Sequence, residues 1–438
     1  MLEVLIIGAG ATGLTLAIEL QRRGVTFRLI DVAGGPFGGS RGKGLQPRSL
    51  EIFDMIGVAD DVLAESSLYQ PIQLHFGPFT KQIRSLGTHC EPTVGCPHPN
   101  MRMVPQWRTE QALRAHLTAL GGSVEFGVGL QTLEQRDDVV FCSLTSGETI
   151  EARYVAGCDG GRSTTRKALE LQLVGKSLGD KTMIVADFAL AGLDRDFWHV
   201  WPLHSCGRIV IAPLPQAGMW QLQAPEKLAR HGLEQGLFRL LKKRPSKITW
   251  RSQFRNQIRM VEHYRVGNVF LAGDSAHLHP PSGAQGLNTG VQDAFNLGWK
   301  LVSALRCGDN GILDTYEAER LPIAAAMLNL TSTLHLNSST KRGDMTNQLS
   351  IGYRNGPLAG SEAAAGPLGL QAGDRMPDMR LSDGRRLFEA MRDGNPVQIV
   401  MTDGERILVR PDGYVAGVGK EAIKAYQGFS VLEVSSLP

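Results

Sequence analysis

Three closely spaced glycines between an apolar strand and an amphipathic segment leave a chain few ways to fold. Here Gly8-Ala9-Gly10-Ala11-Thr12-Gly13 follows the apolar run Val4-Leu5-Ile6-Ile7. The run reads as a buried parallel strand, and a helix is expected from Thr12 to about Arg23. Gly24 then acts as a stop, and a second strand runs from Phe27 to Asp31, completing a βαβ unit. In such a unit Gly8 permits the tight turn, Gly10 lets the backbone approach a pyrophosphate, and Gly13 lets the helix pack on the sheet. The phosphates then sit at the positive end of the helix, which Ala11 and Thr12 open. Asp31 is placed to accept hydrogen bonds from a ribose diol, and its charge disfavours a 2'-phosphate. Two later stretches repeat the glycine-aspartate theme: Gly157-Cys158-Asp159-Gly160, and Gly273-Asp274 followed by Gly283-Ala284-Gln285-Gly286. In this order the three point to a bound dinucleotide flavin, FAD. No second complete fingerprint occurs, so a nicotinamide coenzyme would have no Rossmann domain of its own.

The 438 residues suffice for two or three domains with a large core. A formal net charge of +3 gives no electrostatic case for a nucleic-acid or membrane partner. The basic stretch around Arg239, Lys242, Lys243, Arg244 and Lys247 reads as a solvated helical face. Six cysteines, none in a C-x-x-C pair, read as free thiols of a reducing compartment. The apolar start is preceded by Glu3 and broken by glycines, unlike a signal peptide, and the protein is expected to be cytoplasmic. His89, Cys90, Cys96 and His98 match no zinc spacing, and no metal is expected.

The expected fold class is α/β: a Rossmann-type FAD-binding domain, a β-rich α+β substrate domain, and a short C-terminal region. The FAD-binding domain is discontinuous, over 1–70, 96–180 and 251–355, and the middle domain takes 71–95 and 181–250. Residues 356–371 form a linker and 372–438 the terminal region. Between Val124 and Ala152 period-two segments (Val124 to Gln131, Val139 to Leu144, Thr149 to Ala152) predict a small antiparallel meander, followed by a separate core strand at Tyr154-Val155-Ala156. A helix is expected around Leu233 to Lys243, and another directly after the Gly283–Gly286 loop, with Leu287, Val291, Ala294, Leu297, Leu301 and Leu305 on its apolar face.

The stretch Phe270-Leu271-Ala272-Gly273-Asp274-Ser275-Ala276-His277, continuing through His279-Pro280-Pro281 to Gly286-Leu287-Asn288-Thr289-Gly290, resembles the single-component FAD-dependent aromatic hydroxylases. The fold of that family is like that of para-hydroxybenzoate hydroxylase, and the likeness is to its phenol and polyketide branch. It covers most of residues 1–375, including Val104-Pro105-Gln106-Trp107-Arg108-Thr109-Glu110. The resemblance implies that Asp274, after Gly273, hydrogen-bonds the ribityl or pyrophosphate region of FAD. It implies that Pro281 lines the flavin face, and that the amides of Gly286, Leu287 and Asn288 face the pyrimidine edge, where a helix N-terminus stabilises negative charge. Arg41, Gln106 and Asp159 match FAD-contacting positions, Asp159 also being implicated in pyridine nucleotide binding. The last part, with Gly373-Asp374-Arg375 and Val409-Arg410-Pro411-Asp412-Gly413, resembles a reduced version of the thioredoxin-like tail of relatives, without a cysteine after Cys307.

The implied reaction uses NADPH or NADH to reduce the flavin and O2 to form a C4a-hydroperoxyflavin, which hydroxylates a small aromatic or polyketide substrate. No side-chain acid or base is assigned. Epoxidation and Baeyer-Villiger insertion are alternatives on the same scaffold, and a non-catalytic flavin-fold binding protein is a remote one. A halogenase is set aside, since Trp198-His199-Val200-Trp201-Pro202 lacks the Trp-x-Trp-x-Ile-Pro motif. Met183, Phe188, His199, Trp201, Arg208 and Trp220 are candidates for the substrate pocket because they sit in middle-domain strands, and core packing explains each at least as well. A monomer or homodimer is expected.

Overall fold

In the computed structural model residues 1–83, 89–179, 181–281, 283–336, 344–359, 366–419 and 429–436 are described. The glycine fingerprint joins strand β1 (Leu2–Ile7) to helix α1 (Ala11–Gln21), and β2 (Phe27–Asp31) follows. β1 pairs in parallel with β2 on one side and with β3 (Thr149–Gly157) on the other, and β3 pairs in parallel with β4 (Val269–Leu271). Because β1 is covered on both faces, its apolar residues do not alternate with polar ones. Val4 and Ile6 pack into the main core with α1, whereas Leu5 and Ile7 join a second cluster under Val140, Cys142 and Leu144.

The meander differs from the expectation in two places. The segment Val124 to Gln131 is not one strand: Glu125–Phe126 pairs with β2, Gly127 turns at φ 81°, and a new strand runs Leu130–Arg136. Conversely, the two strands expected over Thr149 to Ala156 are one. The first half of β3 pairs antiparallel with Val139–Leu144 and the second half in parallel with β1, so the hydrophobic pattern changes within a single strand.

A second sheet of seven strands gathers Ile72–Phe76 and Phe79–Ile83 with the strands between Met183 and Phe254. Trp198–Trp201 and Ile72–Phe76 pair in parallel; the other pairs are antiparallel. Its far face packs on the helix Leu233–Leu241, with Ile184, Phe188, Ile211, Trp220 and Leu222 in between. Its near face turns toward the loop after β2 and meets Ser40 and Lys43.

Two long helices complete the first domain, α2 (Gly286–Cys307) and α3 (Gly311–Leu336). A C-terminal sheet is formed by Val415–Val418, Arg406–Val409, Val397–Val400 and Leu432–Ser435, and the short helix Leu387–Ala390 ahead of it docks against the helix Pro47–Met55. Arg386 and Arg392 both reach Asp54, Arg375 reaches Glu51, and Arg48 donates to the Asp412 carbonyl. Arg410 meets Glu319 at 2.7 Å, beside Lys300 on the same carboxylate. The expected linker 356–371 lies partly outside the described residues. No described helix is long and apolar enough to cross a membrane.

Candidate active site

The three glycine motifs converge. Gly8 has φ 104°, and a Cβ there would lie 2.4 Å from the Cys158 carbonyl oxygen, which seats the first motif on the second. A Cβ on Gly13 would lie 1.9 Å from the Gly8 oxygen, so the turn can tighten only with glycine at this position. Gly273, at φ 64°, and Gly290 on α2 both press on Thr12, where added Cβ atoms would stand 2.6 and 2.5 Å from its Oγ1. Thr12 is therefore the point where α1, α2 and the Gly273-Asp274 turn meet. Gly10, by contrast, has only the Glu110 Oε1 near, at 3.6 Å from an added Cβ.

Around this junction lie polar groups that the protein itself leaves unused. Asp159 Oδ2 caps the short helix Thr164–Ala168 by accepting the Thr164 and Thr165 N–H groups, while its Oδ1 is buried with no partner. His279 Nδ1 is likewise buried and unpaired. The helical bonding of α2 begins with Thr289 N–H to the Gln285 carbonyl, so the amides of Gly286, Leu287 and Asn288 precede the ladder. Asp274 is exposed, yet desolvation by the surrounding protein raises its carboxyl, opposed by His277 and Arg41. Pro281 is exposed as well.

Asp31, Gln106, Arg41 and Asn288, expected to contact FAD, are placed as follows. Asp31 accepts the Ala9 N–H at 2.7 Å and the Ala33 N–H at 2.8 Å, and each oxygen keeps a further lone pair. Gln106 Oε1 accepts the Gly42 N–H, and a Cβ on Gly42 would touch both Gln106 and Leu287. Arg41 is exposed, with Nη2 3.3 Å from Ser252 Oγ. The Asn288 side chain is committed inside the protein: it accepts the Gln46 N–H and donates to the Gly44 and Ala284 carbonyls. It fastens the loop after β2 to the start of α2. The glycine cradle, the orphaned Asp159 and His279 atoms and the free amides fit FAD.

Behind the Gly273 turn stands a support that sequence reasoning did not assign. Asp293 accepts the Gly273 N–H at 3.1 Å, lies 2.7 Å from His277 Nε2, and binds Arg320 Nε at 2.8 Å, all three side chains being fully buried. Despite its burial, Arg320 and His277 hold the Asp293 carboxyl down at about 2. Its signal in the sequence was a charged residue on the apolar face of α2.

Of the residues considered for the substrate pocket, the structure places only Met183 on the near face of the second sheet. Phe188 and Trp220 belong to its far core, His199 is bonded to the Asp194 carbonyl, Trp201 stacks on His75, and Arg208 is exposed in the turn before Ile209. The reason is the period of two along each strand. The near face instead carries Val185, Asp187, Trp198, Gln221 and Gln223 beside Met183. Asp187 binds Ser40 through its N–H at 2.8 Å and through its hydroxyl. Lys43 donates to Gln221 and lies 4.3 Å above the Trp198 ring. Burial pushes the Lys43 ammonium down to about 7, against the pull of Asp187. A lone Asp inside the strand Met183–Ala189 was the legible sign of this polar patch. His98, from the cysteine-histidine stretch, is paired with Asp54 at 3.1 Å.

The sequence pattern of a family described as an FAD binding domain matches residues 1–331. A flavin-dependent monooxygenase of Mycobacteroides abscessus is 37% identical, the alignment covering 99% of each chain. A rifampicin monooxygenase of Streptomyces venezuelae is 33% identical over 96% of each. Among solved structures, an anhydrotetracycline hydroxylase from Streptomyces rimosus is similar with a TM-score of 0.75 at 27% identity, covering 97% of this chain and 96% of that one.

Proposed function

We propose, for a chain that belongs to the FAD-binding-domain family of flavin-dependent monooxygenases, that its reaction is the NAD(P)H- and O2-dependent hydroxylation of an aromatic or polyketide-type substrate. The observation that carries this reading is that the first glycine motif seats on the second through Gly8 and Cys158 and meets the third at Thr12, with unpartnered buried atoms on Asp159 and His279. FAD, when bound, supplies the electron transfer and the oxygen chemistry. The chain supplies the rest. The α1 terminus with Gly8, Gly10 and Gly13 holds the pyrophosphate, Asp31 the adenosine ribose, and Arg41, Gln106, Asp159, Asp274 and the α2 amides the remainder of the cofactor.

Substrate, in this reading, enters between the bound flavin and the near face of the second sheet. Met183 and Trp198 give that face apolar area, while Gln221, Gln223 and Lys43 give it hydrogen-bond donors. Such a wall excludes water and fixes which carbon of a ring is presented. His277 and Asp293 hold the Gly273-Asp274 turn in place without reaching substrate. The C-terminal sheet, which has no cysteine, acts as a brace.

The test is NADPH and NADH consumption under air against a panel of phenols and polycyclic polyketides, with product mass. Gain of one oxygen atom with the ring intact is the expected result. A lactone product would replace hydroxylation by ring insertion, and a protein that never binds flavin would end the reading altogether.

A further inference from the structure

Glu110 stands beside the N-terminus of α1. The helix Gln106–Ala119 delivers it one turn after Gln106, and it is 2% exposed. Its Oε1 accepts Gln106 Nε2 at 2.8 Å, and the Ala11 N–H, the first of α1, is directed at the same carboxyl. A Cβ on Gly10, the residue that opens α1, would lie 3.6 Å from Oε1. No ion pair to Glu110 forms among the described residues. The charged groups that face it are Asp31 from β2 and Arg114 from its own helix; α1 brings only its amide. This helix end is also the seat of the cofactor's pyrophosphate.

A carboxylate and a pyrophosphate at one buried helix end repel strongly, whereas a neutral carboxyl does not. Resting on FAD as the bound cofactor, we propose that Glu110 is a proton-carrying member of the pyrophosphate site, which must be the neutral acid when FAD is held. Binding to the ionised form then takes up one proton from solution, which ends on the Glu110 carboxyl. Burial, with a smaller push from Asp31, raises this carboxyl to about 7 in the chain itself, against Gln106, the Ala11 N–H and Arg114. The switch therefore falls in the ordinary range. Below it the acid is already neutral and FAD affinity is flat. Above it affinity falls toward tenfold per pH unit, about 30-fold between about pH 6 and about pH 8.5.

The test uses the full-length protein, stripped of flavin and titrated with FAD, following the change in flavin fluorescence. Wild type should weaken about 30-fold between about pH 6 and about pH 8.5, while Glu110→Gln should bind with little pH dependence, near the wild-type acid value. Parallel slopes for the two proteins would overturn the proposal. Titration calorimetry of wild type at about pH 8, in two buffers of different ionisation enthalpy, should show close to one proton taken up per FAD. No proton uptake would overturn the proposal even if the variant were misfolded. Absence of FAD binding at every pH would overturn the cofactor reading as well, which separates the two failures.

Discussion

Asp293→Asn removes one charge and almost no volume, and the geometry fixes what it should cost. The aspartate's two oxygens serve the Gly273 N–H, His277 and Arg320, all without solvent. Asparagine keeps one acceptor oxygen and turns an NH2 group toward donors, leaving Arg320 with the Tyr353 hydroxyl and the Thr289 carbonyl. Breaking a buried pair in this way costs about 3–5 kcal/mol. The acid equilibrium gives a lower figure of the same order: a carboxyl held at about 2 instead of 3.8 stabilises the fold by about 2–3 kcal/mol. Because the folded value is depressed, that contribution is complete above the unfolded value and is lost as pH falls through about 2. The deficit should therefore be equal at about pH 5 and about pH 7. For 438 residues melting cooperatively, about 2.1 cal/mol/K per residue converts the cost to a fall of about 3–5 °C in Tm. Scanning calorimetry of the flavin-free protein measures it, and an FAD titration should show weaker binding because the Gly273 turn is loosened. A variant melting within about 1 °C of wild type, with unchanged FAD affinity, would refute the role given to Asp293.

Three further outcomes follow from the same contacts. Gly13→Ala places a Cβ 1.9 Å from the Gly8 oxygen, so purified protein should lose its flavin; a flavin-to-protein ratio equal to wild type would contradict the turn geometry. Asp54→Asn cuts ties to Arg386, Arg392 and His98, at about 1–3 kcal/mol, and limited proteolysis should then release the C-terminal unit. These partners hold the Asp54 carboxyl well below the usual carboxylate range, so wild type should resist the protease down to mildly acid pH. Lys43→Met removes an amine whose folded value is lowered to about 7 from 10.5. Wild type should gain about 2 kcal/mol relative to the variant between about pH 7 and about pH 9, where only the unfolded chain holds the proton. Denaturant unfolding at the two pH values measures this, and a constant difference would show Lys43 charged in the fold.

What could be read from the chain was what one segment specifies by itself. The β1-turn-α1 unit, the acid at the end of β2, and the helix that begins at Gly286 were legible because each needs particular residues at particular places. β3 was divided in two because one strand with two kinds of neighbour changes its pattern halfway along. The pocket candidates were chosen because they sit in middle-domain strands, and membership of a strand does not say which face of the sheet a side chain takes. Trp220 and Gln221 are adjacent in sequence, yet one is core and the other meets Ser40. Asp293 and Glu110 became meaningful only when α1, α2 and the Gln106–Ala119 helix were brought together.

The arginines that bind the terminal unit to Glu319, Glu51 and Asp54 are all made after the carboxylates they pair with. Until Arg375, Arg386 and Arg410 emerge, the carboxylates of the earlier-made helices wait for their counter-charges. The nucleotide fold is thus completed by residues made after it, so removing the segment from Arg375 onward should harm the cofactor cradle as well as the terminal sheet.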